Sequence, residues 1–144
     1  MPRALLDTSM LFAAAYQHDD AHEIALPILQ GVDDGKLPEG VVLDYVLAET
    51  LNGLGAHAGQ NAAVDFLDRL EENERFHVET LARDTRATAK ALFRQHGPLS
   101  FVDAAIVAYM RDDGLGYIYA LDDDFDGPSE VYRLDTATNP YDPE

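Results

Sequence analysis

Two short apolar runs, Arg3–Leu6 and Gly116–Leu121, each hand over at once to an aspartate, Asp7 and Asp122. Apolar runs without polar alternation mark strands covered on both faces, and such strands belong to parallel sheets flanked by helices. Thr8 or Ser9 can cap a helix running to about Tyr16, so the chain opens strand, turn, helix, the unit of an α/β domain. Most of the remaining chain has helical spacing. Helices are expected over Asp20–Leu29, broken by Gly31, Gly35 and Pro38, and over Val41–Leu54, stopped by Gly53 and Gly55. Further helices are expected over Asn61–Leu70, over Leu81–Phe93 and, capped by Ser100, through Met110. Phe76–Val78 and Val131–Leu134 read as short strands, and the tail after Asp135 is expected to fray. The expected fold class is α/β, a short parallel sheet with helices on both faces, in one domain over residues 1–144. Ligands of such sheets gather at the carboxyl ends of the strands.

Composition sets the chemistry available there. The 144 residues include no cysteine, which excludes disulfide scaffolds, thiolate zinc sites, iron–sulfur clusters and cysteine nucleophiles. No apolar run is long enough to span a membrane, and an acid at position 7 interrupts the N-terminus too early for a signal peptide, so a cytoplasmic protein is expected. Acidic residues outnumber basic ones 27 to 10, for a net charge of −17. Such acidity ordinarily argues against nucleic-acid binding, because phosphate contacts call for Lys and Arg. Few lysines and many dispersed aspartates also suit a salty cytoplasm, where the screening length falls to about 3 Å and self-repulsion nearly vanishes. On that halophilic reading the charge does not exclude a nucleic-acid substrate.

Four acidic positions stand apart from a solvated surface. Asp7 ends a strand before a helix N-terminus, where its ordinary role is a cap. Glu49 lies on the margin of the apolar stripe of the third expected helix, near Tyr45 and Gly53, and its ordinary role is a solvated edge residue. Asp103 is the third helical residue after Ser100, the place of a capping-box acid. Asp122, Asp123 and Asp124 follow a strand directly and ordinarily form an acidic turn. Read together, Asp7 and Asp122 end strands that share one edge of a parallel sheet, and Asp103 opens the helix feeding the second. Carboxylates converging there repel and raise one another's pKa values unless a cation neutralises them. With oxygen ligands alone, the suitable ions are Mg²⁺ or Mn²⁺.

At these residues the chain resembles the PIN-domain ribonucleases, and specifically the VapC toxins of toxin–antitoxin pairs. Leu5-Leu6-Asp7-Thr8-Ser9 is similar to the family's first motif, and His18-Asp19-Asp20-Ala21-His22-Glu23-Ile24-Ala25 to its Asp-x-x-His-x-x-Ala helix. Leu47-Ala48-Glu49-Thr50-Leu51-Asn52 resembles the helix of the second acid. Leu99-Ser100-Phe101-Val102-Asp103-Ala104 and Ala120-Leu121-Asp122-Asp123-Asp124-Phe125 resemble the third and fourth motifs, with Ala120 where a hydroxyl residue often stands. The resemblance implies a PIN-like three-layer fold and a Mg²⁺-dependent endoribonuclease. It implies Asp7, Glu49, Asp103 and Asp122 as catalytic acids, with Asp7, Asp103, Asp122 and Asp124 as metal ligands. Thr8 and Ser9, with amides at a helix N-terminus, are weaker candidates for a substrate phosphate. Also implied are an RNA substrate, a homodimer and a small VapB-like antitoxin. The antitoxin is expected beside helices one to three, against exposed apolar faces near Leu11, Phe12 and Leu54, with a cation reaching the acids.

Other readings are weaker. His18 and His22, four apart, could pair on a metal but more simply pack or cap, and Arg3, Arg94 and Arg111 are the basic residues to watch for RNA. A receiver domain would carry two adjacent acids after its first strand and a late lysine, whereas Asp7 stands alone and no lysine follows Lys90. A dehalogenase-type phosphatase would need an acid where Ser9 stands. A housekeeping RNA-processing nuclease and a non-catalytic module of the same fold stay open.

Overall fold

The structure, a computed structural model, describes residues 2–95, 97–127 and 131–142. Pro143 and Glu144, the end of the tail expected to fray, lie outside them. Five strands form one parallel sheet in the order β3-β2-β1-β4-β5: β1 (Arg3–Leu6), β2 (Glu39–Leu43), β3 (Phe76–Glu79), β4 (Tyr117–Tyr119) and β5 (Tyr132–Leu134). Six helices connect them: α1 (Thr8–Ala15), α2 (His22–Asp34), α3 (Asp44–Ala58), α4 (Gln60–Glu72), α5 (Arg83–Gln95) and α6 (Phe101–Asp113). A short 3₁₀ turn over Asp123–Asp126 follows β4. The α/β class is as expected from the apolar strands. Leu5, Leu6, Val41, Val42, Leu43 and Ile118 are all fully buried, so the central strands are covered on both faces.

The strand order reverses at β1. The chain first winds outward through β2 and β3, then returns to lay β4 on the other side of β1. That reversal opens a crevice between the carboxyl ends of β1 and β4, the usual ligand position in an open α/β sheet. The two ends are stitched together: the Asp7 amide donates to the Tyr119 carbonyl at 3.1 Å, and the Leu121 amide donates to Ser9 Oγ at 3.2 Å.

Four boundaries differ from the sequence expectation. Gly53 and Gly55 do not stop α3, which runs on through them to Ala58. Val41–Leu43 are not the start of a helix but the end of β2, and α3 begins only at Asp44. An apolar segment buried on both faces has no alternation to separate strand from helix. Gly31 does not break α2, which continues to Asp34 and ends at Gly35 in the left-handed conformation (φ 86°). A side chain at Gly31 would meet Leu37 Cγ at 2.7 Å, so this glycine serves packing rather than termination. The tail is also held: Tyr141 Oη donates to the Arg3 carbonyl (2.9 Å), Tyr119 Oη to the Thr138 carbonyl (2.7 Å), and Asn139 Nδ2 to the Lys36 carbonyl (3.2 Å).

Candidate active site

Asp7 sits where β1 becomes α1, and it is the N-cap of that helix. Its Oδ2 accepts from the Ser9 amide (3.4 Å) and from Ser9 Oγ (2.8 Å). The same hydroxyl accepts the Leu121 amide, so one serine fixes the first acid and ties it to the strand that delivers Asp122. Asp103 opens α6 in a full capping box, with Ser100 Oγ accepting the Asp103 amide (3.1 Å) and the Asp103 carboxylate accepting the Ser100 amide (3.3 Å). Asp122 caps the 3₁₀ turn by accepting the Asp124 amide at 2.9 Å. Glu49, on α3, is exposed and accepts from Thr8 Oγ1 at 2.7 Å. The ordinary capping roles and the convergence of the acids therefore hold at once.

Asp7, Asp103, Asp122, Asp124, Glu49, Thr8 and Ser9 all line one open cleft of about 490 Å³, with Ser100, Phe12, Gly53 and His57. Carboxylate oxygens of Asp103, Asp122 and Asp124 lie within 4.8 Å of one another, a triad able to hold one cation. Asp7 stands beside the triad rather than in it, its Oδ2 being held by Ser9. Asp123 is exposed and does not line the cleft. Thr8 and Ser9 are already engaged: their hydroxyls serve Glu49 and Asp7, and both their amides serve Asp7. They support acids, which leaves little free capacity for a phosphate. None of Arg3, Arg94 and Arg111 lines the cleft. Leu11 and Leu54 are buried in the core rather than exposed, so of the three positions expected to offer apolar contacts only Phe12 reaches the cleft.

The electrostatics follow from burial without compensation. Asp7 and Asp103 are 4 % and 7 % exposed. Desolvation, helped by the charges of Asp7 and Asp122, pushes the Asp103 carboxyl up to about 6. Asp7 is likewise raised, chiefly by burial and partly by Asp122, against the lowering pull of Ser9 and the Thr8 and Ser9 amides. Asp124 is raised mainly by the charge of Asp122. Among the described residues, no ion pair involves any of the lining acids. Beyond Asp124 the pattern changes: Asp126 pairs with Arg133 Nε at 2.8 Å and its carboxyl is lowered.

The PIN domain profile matches residues 4–130. The chain belongs to the PIN domain family. Among solved PIN-like structures, it is 30 % identical to Mycobacterium tuberculosis VapC20, described as a sarcin-ricin loop cleaving toxin, with a TM-score of 0.76 over 89 % of this chain and 98 % of that one. A toxin–antitoxin complex from Klebsiella pneumoniae is similar at 19 % identity and a TM-score of 0.61, covering 91 % of this chain and 99 % of that one. VapBC2 from Rickettsia felis, solved on a promoter DNA fragment, is similar at 14 % identity and a TM-score of 0.66, covering 92 % and 97 %. These two share the fold. No curated protein matches by sequence. Among the described residues no helix is long and apolar enough to cross a membrane.

His18 and His22 do not line the acid cleft, and His22 serves the fold through one ring nitrogen. His22 Nδ1 donates to the Ala13 carbonyl at 2.7 Å, satisfying a carbonyl in the last turn of α1, and Asp19 accepts the Ala21 amide at 2.8 Å. The sequence expectations did not include His57 as a cleft residue, nor Gly53 as more than a helix stop beside Glu49. The available signal was their spacing, since Glu49, Gly53 and His57 recur every four residues on one helix.

Proposed function

We propose that the chain is a metal-dependent endoribonuclease that hydrolyses RNA phosphodiester bonds as the toxin of a toxin–antitoxin pair. The observation that carries this reading is a carboxylate cluster at the β1/β4 crevice with no lysine or arginine among its lining residues, in a PIN fold. A phosphate backbone would be repelled by such a cluster, so the donor set fits a hard divalent cation, Mg²⁺ or Mn²⁺. Asp103, Asp122 and Asp124 would hold it, with Asp7 alongside. When bound, the ion activates a water and stabilises charge on the scissile phosphate. Ser9 and Ser100 hold Asp7 and Asp103 in place, and Glu49, held by Thr8, orients groups at the open side of the cleft.

The 30 % identity to a toxin described as cleaving the sarcin-ricin loop supports the RNA substrate. The antitoxin is proposed beside α1 to α3 with a cation reaching the acids of the cleft, where Phe12 supplies the apolar contact. A homodimer, cytoplasmic residence and adaptation to high salt complete the proposal. The last rests on the net charge of −17, and the cooperative melt should be lost near ~0.1 M KCl and recovered near ~2 M.

The test is direct. Purified chain should cleave RNA with Mg²⁺ and stop with EDTA, and it should copurify with the product of a small adjacent reading frame that blocks cleavage. Cleavage without copurification would favour a housekeeping nuclease, and no cleavage under any divalent ion would leave a non-catalytic module.

A further inference from the structure

Helices α1 and α3 lie against each other, and three pairs of residues face across them at four-residue intervals. The first pair is polar, the 2.7 Å bond from Thr8 to Glu49 beside the acids. The second is a close approach: a Cβ at Gly53 would meet the Phe12 ring at 3.2 Å, so the glycine lets that ring lie against α3 without a shift. The third is aromatic, Tyr16 opposite His57 with ring centres 6.2 Å apart. Phe12 joins the second and third, its ring 5.3 Å from Tyr16 and 5.7 Å from His57. His18 packs edge-on against Tyr16 at 5.5 Å.

A second hollow of about 570 Å³, lined by Tyr16, Gln17, His18, His22 and His57, adjoins the acid cleft, with His57 forming a wall of both. Among the described residues, no lysine or arginine lines either hollow. A strand of RNA drawn to the acids therefore has no lysine or arginine of the lining to hold its phosphates away from the metal, which leaves its bases as the groups the second hollow can grip. Aromatic and imidazole rings hold unpaired bases by stacking, which needs no phosphate contact. Helical rise puts the aromatic pair about 12 Å along α1 from Thr8, within reach of a neighbouring nucleotide.

We propose that Phe12, Tyr16 and His57 form a nucleobase-stacking subsite for single-stranded RNA, adjoining the acid cleft. This rests on the ribonuclease reading and extends it to substrate choice: bases flanking the cut would be recognised unpaired. Gln17, exposed at the rim, and His22 add polar groups that could discriminate among base edges.

The chain contains no tryptophan, so Tyr16→Trp supplies a single reporter that retains a stacking ring. In an Asp103→Asn background that spares the strand, an oligoadenylate of roughly eight nucleotides should quench its emission saturably, and an abasic chain of equal length should not. His57→Ala, on an exposed side chain, should weaken oligoadenylate binding by about 5- to 100-fold. Its effect should disappear on the abasic chain. Equal binding of both chains, or no effect of His57→Ala, would overturn the subsite while leaving cleavage by the unsubstituted protein intact. If His57→Ala instead releases a co-expressed protein partner with oligoadenylate affinity unchanged, the hollow docks protein and the proposal falls. If the unsubstituted protein neither binds nor cleaves RNA, the ribonuclease reading itself fails.

Discussion

Glu39 begins β2 and Asp7 ends the neighbouring β1, so the two acids mark opposite edges of one sheet. Glu39 is met by His77 Nε2 at 2.5 Å and by Arg75 Nη1 at 3.9 Å, and the hydrogen bond from His77 above all lowers its carboxyl. Arg75 also donates to the Val32 and Leu37 carbonyls, so that edge is knitted into the fold. At the other edge Asp7 and Asp103 are more deeply buried, face more acids, and have raised carboxyls. One edge satisfies its charge internally; the other leaves it uncompensated. Burial without compensation is costly in a folded chain, and it is retained where a bound ligand completes the balance. Abundance of acid therefore does not mark the site, because the molecule is acidic throughout. What marks it is the buried acid that the fold leaves without a cation.

The contrast between the edges can be probed by substituting either one. The largest effect is expected on activity: Asp7→Asn and Asp103→Asn should each lower RNA cleavage on the order of 1,000-fold while keeping a cooperative melt. Glu39→Gln should leave cleavage within about 3-fold, a contrast read in one gel assay. Next in size is the pH dependence of the metal-free protein. The Asp103 carboxyl is higher in the folded chain, about 6, than its ordinary 3.8, so the folded state binds the extra proton and stability falls as pH rises between those values. Asp103→Asn should therefore be more stable at pH 7 by up to roughly 3 kcal/mol, the gain vanishing below about pH 4, in denaturant titrations with EDTA. The smallest effect has the opposite sign. Glu39 is lowered when folded, so its contribution is present above its ordinary 4.5 and lost as pH falls through the folded value. Glu39→Gln should cost about 1 kcal/mol at pH 7 and nothing in strong acid.

Much of the acid edge was legible in the sequence, because the same residues serve structure and chemistry. Asp7 is read as a cap from its place before a helix N-terminus, where Thr8 and Ser9 are rival caps, and Asp103 from its spacing to Ser100; both are read as converging acids from the strands they flank. β2 was not legible by periodicity, since Val41–Leu43 continue into helical spacing at Val46 and Leu47. A better signal was its form: Val41-Val42-Leu43-Asp44 repeats Ala4-Leu5-Leu6-Asp7, an apolar run closed by an aspartate before a helix. The resemblance sets Asp124 apart from Asp123, but their residue types do not, because the separation depends on a 3₁₀ turn that lines the cleft with one and exposes the other. The compensation of Asp126 was not legible, because its partner Arg133 arrives from β5 by pairing across the sheet edge.

The β1/β4 crevice is short of a cation, and thermal melting under Mg²⁺ titration at constant ionic strength tests this most directly. Binding to the folded state alone stabilises by RT ln(1 + [L]/Kd), about 2.7 kcal/mol at a hundredfold excess over Kd. The Tm of the unsubstituted protein should rise saturably, and the rise should be largely abolished by Asp103→Asn and preserved in Glu39→Gln. A Tm that does not respond to Mg²⁺ or Mn²⁺, or that responds equally in all three proteins, would contradict a cation site at this edge.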